Sequence, residues 1–204
     1  MKKKVLVLAL AVSLVALTAL GVTLAYFTDT KTATNTFTMG NVNITLTELK
    51  FPGGPGGGTI SNVTPGDSIT KDPTVTNTGA NAAYVRLKVT VTKSSEFDAA
   101  LPNADLTTLF SGYAPSVWLY KGNTEDTVAN TRTYTFWYNG VLAPTAAAAP
   151  LFTAVNIPAG ITSGQASALS GFQIIVKAEA IQADNFVDNT TGTAMENAFT
   201  ALGA

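Results

Sequence analysis

The chain has 204 residues, with 12 basic and 13 acidic groups, no cysteine and no histidine. Without cysteine there is no disulfide and no thiol chemistry, and without histidine neither a Ser–His–acid triad nor an HExxH zinc site can be built. Three of the basic residues are Lys2, Lys3 and Lys4, so beyond residue 25 nine basic groups face 13 acidic ones, a balance that disfavours nucleic acid and anionic lipid surfaces as partners.

The chain begins with the three lysines, continues with a mostly apolar run from Val5 to Leu20, and closes that run with small residues. This is the layout of a secretory signal peptide. The small pair Thr23 and Ala25 places the cut before Tyr26, so residues 1–25 are expected to be removed and the mature chain exported. Membrane contact would then be limited to the signal peptide before cleavage. A retained anchor is the alternative, because residues 5–27 are long enough to cross a hydrocarbon core of ~30 Å. No basic stop-transfer cluster follows, and no Glu sits at the start of the apolar run as in a type IV pilin leader.

The mature part is rich in threonine, 30 of the chain's 32 lying after residue 25, which leans toward strands. Residues 28–38 carry Thr at every even position. Residues 41–49 alternate, with Val42, Ile44 and Leu46 on one face and Asn43, Thr45 and Thr47 on the other, the pattern of a half-buried strand. After Phe51, residues 52–58 are all Gly or Pro and form a loop. Residues 59–63 read as a short strand and Pro65-Gly66-Asp67 as a turn. Residues 73–79 read as a second Thr-rich strand. The clearest strand is 84–93, with Val85, Leu87, Val89 and Val91 facing the core and Arg86, Lys88, Thr90 and Thr92 facing water.

A short helix is expected around 104–110. Residues 116–120 and 132–138 read as strands flanking a polar turn at 121–131. The Asn139-Gly140 turn suggests that 132–138 pairs with residues 141 onward, and 145–150 reads as a surface loop. Residues 151–158 form another strand, and the apolar 172–183 a long, central one. Residues 193–202 have helical spacing, with Thr193 and Glu196 as a capping box. About nine strands and one or two short helices make an all-β, jelly-roll-like β-sandwich, with no internal repeat.

Ser68-Ile69-Thr70-Lys71 matches SxxK, but its companion motifs are absent. No phosphate-binding loop occurs. Asp184 and Asp188 could offer oxygen ligands to calcium, though solvated turn acids fit them better. Asn43, Asn62 and Asn189 head glycosylation triplets, which arise by chance in so Thr-rich a chain. No cofactor is implied.

The threonine stretch has high strand preference but a poor core face. It reads either as an edge strand of its own domain or as a donor strand that completes the sheet of a neighbouring copy. Its apolar anchors Phe27, Phe37 and Met39 are all odd-numbered, opposite Thr30, Thr32, Thr34 and Thr36.

The sequence LAYFTDTKTATNTFTMGNVNITLTE resembles the start of the TasA/camelysin family of exported proteins. The pattern is a signal peptide ending in Ala, then Phe27 and Asp29, then Phe37, then Gly40 opening an alternating strand. Pro65-Gly66-Asp67, residues 76–89 and residues 179–186 continue it. The resemblance implies a jelly-roll sandwich at 41–204, a donor segment at 26–40, and cleavage by a dedicated signal peptidase. It also implies secretion to the cell surface or biofilm matrix, where one copy inserts its N-terminal strand into the next to form a head-to-tail homopolymer. Peptidase activity, attributed to some relatives, is not carried over to a chain without histidine. The competing readings are a membrane-anchored adhesin or binding module and a camelysin-like exported peptidase.

Overall fold

The computed structural model describes residues 3–4, 41–54, 57–101, 109–184, 186–188 and 192–203. The chain divides into two units, Met1–Met39 and Gly40–Ala204, and the second is described here. The expected signal peptide and threonine stretch lie outside the described residues, as does most of the helix expected at 104–110. Phe110, at the end of that expected helix, belongs to a strand.

Nine strands are described: β1 (Ile44–Thr47), β2 (Ser68–Thr70), β3 (Thr74–Asn77), β4 (Ala83–Thr92), β5 (Phe110–Ser111), β6 (Trp118–Asp126), β7 (Thr131–Tyr138), β8 (Ala154–Asn156) and β9 (Ile174–Gln182). Three helices accompany them: α1 (Ser94–Ala100), α2 (Ser163–Ala168) and α3 (Ala194–Leu202). Every pairing is antiparallel. The described residues are therefore all-β with three short helices. Among the described residues, no helix is long and apolar enough to cross a membrane.

One sheet has the order β6-β7-β4-β9. The other is formed by β1-β3 and β2-β8-β5, which backbone bonds join into a continuous ribbon. Lys71 N–H donates to Thr153 O, Leu151 N–H to Pro73 O, Ala148 N–H to Val75 O and Asn77 N–H to Ala146 O. Residues 68–77 thus run antiparallel to 146–156. The ribbon breaks into short strands at Pro73, which has no N–H to donate.

The two sheets enclose one core. Val85, Leu87, Val89 and Val91 of β4 point inward, none more than 3% exposed, as their alternation predicts. They meet Val75, Phe110, Phe152 and Val155 of the opposite sheet. The Phe110 and Phe152 rings stack at 4.4 Å, and Phe110 meets Tyr134 edge-on at 6.4 Å. Trp118 is fully buried and its indole N–H donates to Ala149 O at 2.9 Å.

The outer face of β4 is less wet than its sequence suggests. The C-terminal helix α3 folds onto one end of it, burying Phe199 and Ala198 against Tyr84. Phe199 lies 4.7 Å from the Trp137 ring and under the Arg86 guanidinium. Arg86 is only 5% exposed. Its charge is met by Glu179 at 2.6 Å and by the Gly203 carbonyl at 2.6 Å, while its stem packs as apolar surface. Burial alone would raise the Glu179 carboxyl, but hydrogen bonds from Lys177 and Arg86 outweigh it and hold the group down to about 2. The capping box of α3 is present, Thr193 and Glu196 satisfying each other's backbone N–H.

Other elements depart from the sequence reading for identifiable reasons. Residues 59–63 form no strand; the strand lies at Ser68–Thr70, after the Pro65–Gly66 turn. β6 runs through most of the expected polar turn to Asp126, with a register shift between Tyr120 and Asn123. Its outer half is exposed, so no apolar alternation marks it. β7 pairs with β6 and β4, not with residues 141 onward. Gly140 does turn the chain at φ 124°, but Leu142 then bridges to Ala83. Residues 145–150 are not a free surface loop: Ala147 bridges Thr76 and Ala148 is 4% exposed. Among the described strands β9 is at a sheet edge rather than its centre; β4 is central. Helices α1 and α2 were not expected.

Candidate acceptor groove

Two strand edges face a common groove. In the pairing of β2 with β8, Ile157 N–H donates to Asp67 O and Lys71 N–H to Thr153 O. Those bonds make the odd residues the bonded set, so Ser68 and Thr70 present their main-chain groups away from β8. In the pairing of β9 with β4, Thr92 N–H donates to Gln173 O and Ala183 N–H to Ala82 O. By the same alternation Ile174, Val176, Ala178, Ala180 and Gln182 present theirs away from β4. Among the described residues none of these outward groups has a main-chain partner.

The groove has a volume of about 830 Å³. Ile69, Val155 and Ile157 line it from one sheet, and Phe172 and Ile174 from the entry to β9. Phe97 of α1 and Leu169 after α2 lie at its base, and residues 57–65 form a further wall. Phe97 and Phe172 meet edge-on at 5.1 Å. Helix α2 is held by its own capping box, Thr162 with Gln165, and Gln165 also donates to Ala99 O of α1 at 3.1 Å. The two helices therefore close the base as a unit.

Lys71 is the one charged residue among the groove's described lining residues. It is 7% exposed, its Nζ 2.7 Å from Glu48 Oε2 and 4.8 Å from the Phe51 ring centroid. Glu48 and Lys71 thus form a buried ion pair at one end of the groove. The groove thus offers apolar stations and backbone edges, with its polar side chains mostly in the 57–65 wall and at Ser170 and Gln173.

The residues singled out in the sequence distribute as follows. Thr23, Ala25 and Tyr26 of the cleavage site, and Phe27, Asp29, Thr30, Thr32, Thr34, Thr36, Phe37 and Met39 of the donor segment, lie outside the described residues. Ser68 and Lys71 of the SxxK match are not joined, since Ser68 Oγ donates to Asn156 Oδ1 at 2.8 Å and Lys71 turns to Glu48. Asp188 accepts the Ala194 N–H at the start of α3, and Asp184 accepts from the Asn81 and Gln182 side-chain amides. The groove residues went unrecognised because they come from segments far apart in the chain. The nearest signal was the scatter of lone apolar residues, Ile60, Val63 and Ile69, in otherwise polar stretches.

No curated protein and no solved structure matches the chain. Residues 1–107, just over half of it, match the family model described as camelysin metallo-endopeptidase. That description implies a metal, and the donor set here does not fit one. The chain has no His or Cys, and among the described residues no three carboxylates converge as a metal site. No catalytic step is derived through a metal. The matched span covers the expected signal peptide, the threonine stretch and the strands through β4, and on it the chain belongs to the camelysin family.

Proposed function

We propose that the protein is an exported structural subunit that polymerises head to tail, residues 26–39 of one copy filling the groove between β2 and β9 of the next. The observation that carries this reading is the pair of strand edges with outward main-chain groups beside an apolar groove. The N-terminal stretch supplies what such a site takes: a β-branched strand with apolar anchors on one face. Residues 28–38 extend about 36 Å at ~3.3 Å per residue, more than the length of β9.

About ten added main-chain bonds at ~1 kcal/mol net are offset by ordering the segment at ~1–2 kcal/mol per residue. The sign is set by Phe27, Phe37 and Met39, at ~1.5–3 kcal/mol each on burial. A contact of this kind does not close on itself, so repetition gives filaments.

In this reading signal peptidase cuts before Tyr26 and frees the donor outside the cell, so the product belongs to the cell surface or a biofilm matrix. No cofactor, catalysis, nucleic acid or mature membrane anchor is involved. The test is electron microscopy of the concentrated chain beginning at Tyr26, beside one beginning at Gly40. Fibres from the first and folded monomers from the second are expected. Normal fibres from the shorter chain would refute the donor role.

A further inference from the structure

The acceptor reading leaves one wall of the groove unexplained. Residues 57–65 line it as nine consecutive residues, and they are held unlike any other wall. Only Ile60 is half-buried; the other eight are exposed. At the near end Gly57 N–H donates to Gly54 O; at the far end Thr64 N–H donates to Asp67 Oδ2 and Gly66 N–H to Ile157 O. Between them, residues 58–63 make no main-chain hydrogen bond to a described residue. The near end turns on Gly54 and Gly57, at φ 111° and 97°, conformations open to glycine and strained for other residues. A segment pinned at both ends, with no described main-chain partner over 58–63 and Ile60 as its most buried side chain, sits at the low-stability end of a fold.

We infer that residues 57–65 act as an autoinhibitory strap. It lies along the acceptor groove of the free subunit, with Ile60 as its peg, and yields when a donor strand of another copy arrives. This rests on the donor-strand reading and adds a barrier to it: the strap slows assembly while the protein is still dilute. The apolar groove is partly covered until a strand with stronger anchors competes for it. Glycine at the hinge permits the swing without breaking the ribbon at 68–77, whose bonds to 146–156 are independent of the strap.

The experiment compares elongation of the full mature chain, residues 26–204, seeded with preformed fibres and followed by light scattering. Ile60→Asn removes the peg and Ile60→Phe enlarges it; neither alters a fully buried residue, and circular dichroism checks the fold of each. The expected result is elongation roughly five- to tenfold faster for Ile60→Asn, the factor that half-burial of an isoleucine corresponds to, and slower for Ile60→Phe. Equal rates, or both variants slower than the parent, would overturn the strap while leaving donor exchange intact. Absence of fibres from the parent chain would overturn both.

Discussion

The four-stranded sheet has two edges, and they are built in opposite ways. At the β6 edge, residues 120, 121 and 123–126 are exposed, the register breaks after Tyr120, and Lys121, Glu125 and Asp126 line the strand. Charge and a register break discourage another chain from pairing there. At the β9 edge, nine residues pair with β4 without a shift. Ile174, Val176, Ala178 and Ala180 pack toward the core, and the start of the strand, Ile174 and Ile175, lines the groove. One sheet thus carries a guarded edge and a receptive one. The contrast teaches that, among the described residues, the two edges of one sheet differ in charge and in regularity of pairing.

The contrast breaks first where a charge is placed on each edge. Ile175, half exposed and lining the groove, is the probe at β9: Ile175→Asp should cut fibre elongation by about a hundredfold or more, because donor docking would bury an unpaired carboxylate. Thr124→Asp on β6 should leave elongation unchanged. Seeded light scattering reads both, and equal sensitivity of the two edges would remove the distinction.

A second variant separates fold from assembly. Phe199→Ala empties the contact between α3 and the outer face, away from the groove. It should cost about 3 kcal/mol and lower the melting temperature by roughly 10 °C, while the folded protein still elongates.

The acid response sharpens the same separation. Glu179 is held down to about 2 against an ordinary value of 4.5, so its contribution is present above 4.5 and is lost as pH falls toward 2. Glu179→Gln should cost roughly 2 kcal/mol at pH 7, with the difference from the parent shrinking in denaturant melts at pH 3. A gap that stays constant with pH would contradict the Arg86–Glu179 account. The smallest effect is expected from Asp126→Val, about 1 kcal/mol for folding, because its carboxylate accepts the Val128 and Ala129 N–H groups in the turn after β6; its signature is lateral bundling of fibres, seen by microscopy as the guard on β6 weakens.

The two edges also mark what a sequence can and cannot reveal. The strand β4 was legible because one face is Val, Leu, Val, Val and the period is two. The outer half of β6 was not, because a ladder to β7 holds it without apolar residues. The burial of Arg86 was invisible in the alternation of β4, which reports the inner face; the covering helix lies more than a hundred residues away. Pro73 explains why one ribbon reads as two short strands. The groove was the least legible feature, since Ile69, Phe97, Val155 and Ile174 meet only through the fold. The family resemblance suggested a donor segment, and the proposed place for it lies between β2 and β9.

The most direct test is a helical reconstruction of fibres by electron cryomicroscopy at side-chain resolution. The account predicts residues 26–39 of each copy extended between β2 and β9 of its neighbour, with Phe27, Phe37 and Met39 turned into the groove. Fibres joined through any other surface, with that segment folded on its own subunit, would contradict it.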